Sequence, residues 1–253
     1  MKKILSFLAF MLFFVGCDNN AKQDNTQVGD AAKTQVIKVG MSMDYPPFEY
    51  IDDQNNPAGF DVELIKEISN MIGFEVSLQN ISFDGLIPAL KAGKIDAIMS
   101  AMSATDDRRK SVDFTDSYYT TENLFIRKKN TDVTQDTFKG KQVGVQLGTV
   151  QEMAARTFNG VNVVPADNIL SSIMALKTGK IDFILVDSSI GYGYLKQNED
   201  LEEFLKLPDG SEGFSIAFDK DKHNDLIAKI NNALKELKAN GKFDEIAKKY
   251  DLR

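Results

Sequence analysis

A chain of 253 residues, 43% hydrophobic and 26% charged, is long enough for one large folded domain or two modest ones. A formal net charge of −7 argues against a surface built for nucleic acid or anionic lipid. With a single cysteine, Cys17, and a single histidine, His223, the chain builds no intramolecular disulfide and no thiolate or multi-histidine metal site. No metal and no cofactor are expected.

Lys2 and Lys3 precede a short apolar run over residues 4–15, too short for a stable bilayer span, so residues 1–16 read as a targeting segment. Residues 17–35, rich in Asn, Gln, Asp and Ala, read as a flexible tether. Alternation predicts a strand over 36–40. Pro46 and Pro47 predict a loop over 42–50. Phe60-Asp61 then caps a helix whose apolar face carries Leu64, Ile65, Ile68, Met71 and Ile72, and Gly73 stops it. A strand over 75–78, a helix over 83–92 and a strand over 95–99 complete a first unit.

A strand over 124–127 leads out of that unit into a polar stretch, 128–141. The second unit comprises a strand at 142–145, a helix at 150–157 started by Gly148-Thr149, a strand at 161–164, a helix at 169–178, a strand at 181–186 and a helix at 189–197. Residues 201–207 form a weaker strand candidate. Pro208-Asp209-Gly210 is turn chemistry and 214–218 a strand. Leu226, Ile230, Leu234 and Leu237 stripe a late helix, Gly241 breaks it, and 243–250 forms a last short one. His223 reads as a solvated helix start. These terminal elements have no sheet of their own and are expected to return to the first unit. The chain then crosses between lobes twice, near 121–127 and 208–218, with 36–121 and 218–253 in lobe 1 and 122–217 in lobe 2. Two crossings suit closure on a ligand.

Two stretches nearly repeat each other. Residues 89–98 read Ala-Leu-Lys-Ala-Gly-Lys-Ile-Asp-Ala-Ile, and 175–184 read Ala-Leu-Lys-Thr-Gly-Lys-Ile-Asp-Phe-Ile. Each predicts a helix ending at a glycine and feeding a buried strand, half of a parallel βαβ unit. Ligands of open α/β sheets sit at the carboxyl ends of strands. There the first copy offers Ser100, Ser103 and Arg108, and the second offers Asp187. Taken singly, an arginine after a strand is a loop residue and Asp187 a helix cap. Together they complement the two charged ends of an α-amino acid, the guanidinium fork holding a carboxylate and the aspartate accepting from an ammonium. On different lobes, neither charge is expected to be fully paired before a ligand arrives. Thr149 and the amide of Val150 lie at a helix start that favours an anion. Tyr45 and Phe83 are aromatic flanks suited to a planar or cationic group. Arg109 reads as a structural ion pair, and Tyr118 and Tyr119 as lobe packing.

Asp44-Tyr45-Pro46-Pro47-Phe48-Glu49, Gly59-Phe60-Asp61, the first Gly-Lys-Ile-Asp, Ser103-Ala104-Thr105 with Arg108, Val143-Gly144-Val145-Gln146-Leu147-Gly148-Thr149 and Asp187 occur in this order. Over nearly all of 36–251 the chain resembles the polar amino-acid-binding proteins of bacterial ABC importers, the extracellular solute-binding family 3. The resemblance implies an α/β, two-lobed periplasmic-binding-protein fold (type II), each lobe a central β-sheet flanked by helices, joined by two hinge crossings. It implies Arg108 on the α-carboxylate and Asp187 on the α-amine, with Ser100, Ser103, Thr149 and Val150 lining that subsite and Tyr45 and Phe83 flanking the side chain. Ala101 stands where relatives often carry a second serine or a glycine. Ser42 stands where the histidine and lysine/arginine binders carry an aspartate, leaving Ser42, Glu49, Glu122 or Gln146 to set side-chain selectivity.

The implied function is that of a substrate-binding lipoprotein. It captures a free L-amino acid of the arginine, lysine, histidine or glutamine type by lobe closure and delivers it to an ABC permease with its ATPase subunits, acting as a monomer and not as an enzyme. Phe14-Val15-Gly16-Cys17 resembles a lipobox, which implies removal of 1–16 and lipidation of Cys17. Membrane contact is then through the lipid alone. The protein is placed in the periplasm, or on the cell surface of an organism with one membrane. The competing reading on the same fold is a periplasmic cyclohexadienyl or arogenate dehydratase, with Glu122 or Asp84 as its acid.

Overall fold

In the computed structural model, which describes residues 35–252, the first strand, β1 (Val36–Met41), runs into a small sheet of β2 (Asp44–Tyr45), β3 (Glu49–Ile51) and β4 (Pro57–Ala58). Then come α1 (Phe60–Ile72), β5 (Glu75–Asn80), a 3-10 turn at Phe83–Gly85, α2 (Leu86–Lys91), β6 (Ala97–Ile98), α3 (Asp106–Arg109) and β7 (Val112–Phe114). The chain moves on to β8 (Glu122–Lys128), a 3-10 turn at Gln135–Thr137, β9 (Gln142–Gln146), α4 (Val150–Thr157), β10 (Asn162–Ala166), α5 (Ile169–Lys177), β11 (Phe183–Asp187), α6 (Ser188–Gln197) and β12 (Leu201–Pro208). It closes with β13 (Ala217–Asp219), α7 (Asn224–Ala239) and α8 (Lys242–Lys249). The targeting segment, Cys17 and nearly all of the tether lie outside the described residues. Among those described, no helix is long and apolar enough to cross a membrane.

The elements form two five-stranded sheets, one per lobe: β5-β1-β6-β13-β7 and β10-β9-β11-β8-β12. In the first, β1 lies parallel to β5 and β6, and β13 pairs antiparallel with β6 and β7. In the second, β9 lies parallel to β10 and β11, and β8 pairs antiparallel with β11 and β12. The sequence repeat thus has a structural counterpart. Each helix ends before a left-handed glycine, Gly93 at φ 67° and Gly179 at φ 73°, and each following strand takes the centre of its sheet, β6 beside β1 and β11 beside β9.

The chain passes between sheets over residues 115–121 and returns over 209–216. The two passages lie side by side: the Phe214 N–H donates to the Tyr119 carbonyl at 2.7 Å, and the Tyr118 N–H to the Phe214 carbonyl at 2.9 Å. Phe48, Phe60, Tyr119 and Phe214 pack edge-on, tilted or stacked around this crossing, and Phe243 of α8 meets Phe60.

Several expectations are corrected. Residues 42–50 are not one loop: Asp44 pairs with Tyr50 and Tyr45 with Glu49, and the two prolines occupy the connection, where no ladder N–H is required. Asp61 does not cap α1. Gly59 holds the N-cap position, and the Asp61 side chain turns into the interior. The helix expected at 83–92 opens with a 3-10 turn, and the strand expected at 95–99 is two residues long. Phe214 makes only isolated bridges ahead of β13. The pairs β2/β3 and β6/β13 are too short to leave a period, so their registry comes from neighbours rather than from pattern.

The polar stretch 128–141 also conceals core. Val133 and Phe138 are buried, and the Phe138 ring stacks on Phe183 at 4.6 Å and 10° within a cluster that includes Phe125, Phe158 and Phe204. Phe138→Ala removes a fully enclosed ring that its neighbours cannot easily replace. The expected cost is about 3–5 kcal/mol, read as a lowered urea midpoint with an unchanged slope.

Candidate functional site

Between the carboxyl ends of the two sheets lies a narrow cavity, its empty space about 290 Å³ when the part open to solvent is counted. Of the residues expected at the ligand from sequence, all but Glu122 line it: Ser42, Tyr45, Glu49, Phe83, Ser100, Ser103 and Arg108 from the first lobe, Gln146, Thr149, Val150 and Asp187 from the second. Two further residues join them, Ala101 and Gln151.

Arg108 enters from α3, a helix of four residues whose N-cap Thr105 accepts from the Arg108 N–H at 3.2 Å. Arg108 is 7% exposed; Nη1 donates to the Ser103 carbonyl at 2.8 Å and Nη2 to the Gly148 carbonyl of the opposite lobe at 3.0 Å. Its Cζ lies 5.4 Å from the centre of the Phe83 ring. Burial lowers its pKa to about 10, against the raising effect of Asp187.

Asp187 ends β11, where the chain leaves the sheet. It stands at the N-cap position of α6 yet makes no capping hydrogen bond, so the helix-cap reading fails. Instead Oδ2 accepts from the Tyr45 hydroxyl of the other lobe at 2.5 Å, and Oδ1 from Gln151 Nε2 at 2.9 Å. Burial raises its pKa to about 7. The expectation that both charges await a ligand unpartnered is corrected: each holds two neutral partners. Carbonyls and hydroxyls solvate a charge without cancelling it, so the electrostatic demand of both groups remains.

Around this pair the hydroxyls of Ser42, Ser100 and Thr149 are engaged. Ser100 Oγ accepts the Ser42 N–H at 2.9 Å and donates to Glu49 Oε1 at 2.7 Å. Ser42 Oγ donates to Asp44 at 3.0 Å. Thr149 caps α4, accepting from the Glu152 N–H at 3.2 Å and donating to the Gln146 carbonyl at 2.7 Å. Two buried oxygens of lining residues, Glu49 Oε2 and Gln146 Oε1, have no donor among the described residues, a neighbouring carboxyl aside for the first. Glu49 is wholly buried; burial first, then the nearby Asp61, push its carboxyl well above the usual range.

Of the selectivity candidates, Glu122 is overturned: it ion-pairs with Lys206 at 2.8 Å, about half exposed and away from the cavity. Asp84 is also absent from the lining. Arg109 pairs with Glu212 and lies over Phe114, a structural role. Gln151 was not anticipated. Its place on the first turn of α4, two residues after the helix cap, was readable, but its orientation toward Asp187 was not.

Gly148 packs closely against the facing lobe. Its φ is 79°, and a Cβ there would lie 3.0 Å from the Asp84 Cα of the facing lobe. Gly148→Ala is therefore expected to cost about 1–2 kcal/mol in backbone strain and to press the lobes apart. Titration with ligand should show a roughly tenfold weaker affinity; an unchanged affinity would mean the contact is not needed for closure.

Residues 37–252 match the pattern of the bacterial extracellular solute-binding proteins, family 3. The chain is 44% identical over 257 residues, all of both chains, to a Campylobacter jejuni protein named "Probable histidine-binding protein". It is 34% identical over 254 residues to the arginine-binding extracellular protein ArtP of Bacillus subtilis, covering 98% of this chain and 95% of that one. A solved structure of an ancestral arginine-binding protein bound to arginine superposes with a TM-score of 0.80 at 35% identity, covering 85% of this chain and 97% of the other.

Proposed function

The chain belongs to the bacterial extracellular solute-binding proteins, family 3, and on that premise we propose that it captures an L-amino acid with a cationic side chain and delivers it to the permease of an ABC importer. One observation carries the reading. A single interlobe cavity presents a buried arginine from one lobe, a buried aspartate from the other and a buried carboxyl, Glu49, with an oxygen that no donor other than a neighbouring carboxyl can serve. Holding such groups away from water is costly unless a ligand complements them. An α-carboxylate on Arg108, an α-ammonium on Asp187 and a guanidinium, ammonium or imidazolium toward Glu49 would do so.

In this reading Ser100, Ser103, Thr149 and Val150 frame the α-carboxyl end, and Tyr45 and Phe83 flank the side chain. Ser42 and the side-chain oxygen of Gln146 add acceptors to the cavity lining. Arg108 and Asp187 stand on different lobes, so a bound zwitterion ties the lobes together, and the closed form is the one offered to the permease. Lobe 1 is taken as 36–121 and 218–253 and lobe 2 as 122–217, with Ala217 corrected to lobe 1, where it opens β13. The chain works as a monomer held outside the cytoplasm by lipid on Cys17 after removal of 1–16, with 17–35 as tether.

Calorimetric titration with each standard amino acid tests the reading. Heat is expected from arginine, lysine or histidine, and none from aspartate or leucine. Heat from no amino acid, or from acidic or aliphatic ones alone, would overturn it. For the anchor, Cys17→Ser is expected to shift the protein from the membrane fraction to the soluble fraction.

A further inference from the structure

Asp61 lies just behind the cavity and belongs to none of the roles above. The Phe60 N–H donates to the Pro47 carbonyl at 2.9 Å and the Asp61 N–H to the Phe48 carbonyl at 2.8 Å. These bonds dock the first turn of α1 on the chain entering β3 and set the Asp61 carboxyl beside that of Glu49. Both residues are 0% exposed. Asp61 Oδ2 accepts from the Ala101 N–H at 2.9 Å and from the Tyr118 hydroxyl at 2.8 Å. Glu49 Oε1 accepts from Ser100. The remaining oxygens, Glu49 Oε2 and Asp61 Oδ1, have no donor among the described residues other than each other's carboxyl. No lysine or arginine among the described residues forms an ion pair with either.

We propose that Glu49 and Asp61 share a proton beneath the side-chain end of the cavity, and that a cationic ligand side chain expels it, making selection between cationic and neutral amino acids pH-dependent. Two adjacent carboxyls deprived of water cannot both stay ionised. The groups around the pair do not relieve this. Asp44 and Tyr45 of β2 and Tyr118 of the interlobe passage add negative or neutral character, and the cation in the cavity lining, Arg108 of α3, is opposed by Asp187 of β11. Asp61, with two further donors, is the better site for the negative charge. Glu49, with one, holds the proton and donates it to Asp61. Burial accordingly lifts Asp61 to about 7 and Glu49 well above the carboxylate range, Asp61 adding to the rise at Glu49.

The charges balance. In the empty protein the pair is Glu49–COOH beside Asp61–COO⁻, net −1. When a guanidinium or ammonium reaches Glu49, the O–H bond breaks and the proton passes to solvent. Two carboxylates and one ligand cation again sum to −1. An amide side chain can donate an N–H to a Glu49 carboxyl oxygen, and the proton then stays between Glu49 and Asp61. Asp61 is thus a positioning residue for selectivity, acting through Glu49.

This inference rests on the reading of the cavity as an amino-acid site, and its test separates the two. The full-length chain is titrated calorimetrically at pH 8, above the value of about 7 to which Asp61 is raised, with L-arginine, L-lysine and L-glutamine, in buffers of different ionisation heat, to count protons released. Asp187 meets the same α-ammonium in all three, so the difference between a cationic ligand and glutamine isolates the side-chain end. A bound cationic ligand is expected to release about one proton more than glutamine. Its affinity should rise up to about tenfold per pH unit more steeply in the wild type than in Glu49→Gln. Asp61→Asn should shift that profile to lower pH, because Glu49 no longer has a charged neighbour; should this variant not fold, Glu49→Gln carries the comparison alone. Binding with equal proton counts for cationic and neutral ligands, or a profile that Glu49→Gln leaves unchanged, would overturn the proton-sharing pair and leave the functional reading standing. Heat from none of the cationic amino acids would overturn both.

Discussion

Arg108→Ala is expected to abolish amino-acid binding. The guanidinium is the cation set into the cavity lining, and alanine leaves both the ligand carboxylate and its surroundings without a counter-charge. Truncating one member of a buried ion pair costs about 3–5 kcal/mol, a fall of roughly 10²–10³-fold or more in affinity. Some stability is lost as well, because the Ser103 and Gly148 carbonyls lose their donors. Arg108→Lys separates the two effects. It keeps the charge and loses the planar fork, so its affinity should fall between those of the wild type and the alanine variant. If Arg108→Ala binds as tightly as the wild type under titration, the assignment of the carboxylate subsite is wrong.

The second large effect is expected from Asp187→Asn. The amide keeps the size of the carboxylate but presents an NH₂ group where one oxygen now accepts from Tyr45 or Gln151. It also removes the charge that meets the α-ammonium. Hydrogen bonds to charged groups contribute about 1.5–3 kcal/mol, so affinity should drop by roughly 10–100-fold. The pH dependence supplies a second readout. Burial raises the Asp187 pKa to about 7 in the empty protein, and an ammonium at the carboxylate lowers it again. Ligand therefore favours the deprotonated form, and affinity should fall as pH drops below about 7. In Asp187→Asn that component should vanish. A variant retaining the full wild-type profile would locate the titrating group elsewhere.

Both predictions concern residues that the sequence singles out before any coordinates. The near-identical stretches at 89–98 and 175–184 signal a duplicated helix-to-strand unit, and the chemistry of an open sheet directs attention to the residues just past each strand. That logic reached Ser100, Ser103, Arg108 and Asp187. It could not foresee that Asp187 bonds to Tyr45, 142 residues away and in the other lobe. Nor could it see that Gln151 turns inward, or that Glu122 turns out to Lys206. Each depends on which lobe surface a side chain meets, a relation that no local pattern encodes.

Long periodic elements were legible in the sequence because helix and strand periods, glycine stops and capping residues act within a few neighbours: α4 and α7 belong here, as does the left-handed stop after α1. The opposed charges at the ends of duplicated strands were equally local. Docking had to supply the rest. The two-residue pairings around Pro46 and Pro47, the burial of Phe138 within a polar stretch and the meeting of Glu49 with Asp61 all join segments by packing. A carboxyl's chemistry depends on the dielectric and the donors around it. Those surroundings exist only once the chain has folded, so the sequence names the acid and the packed lobes set its proton.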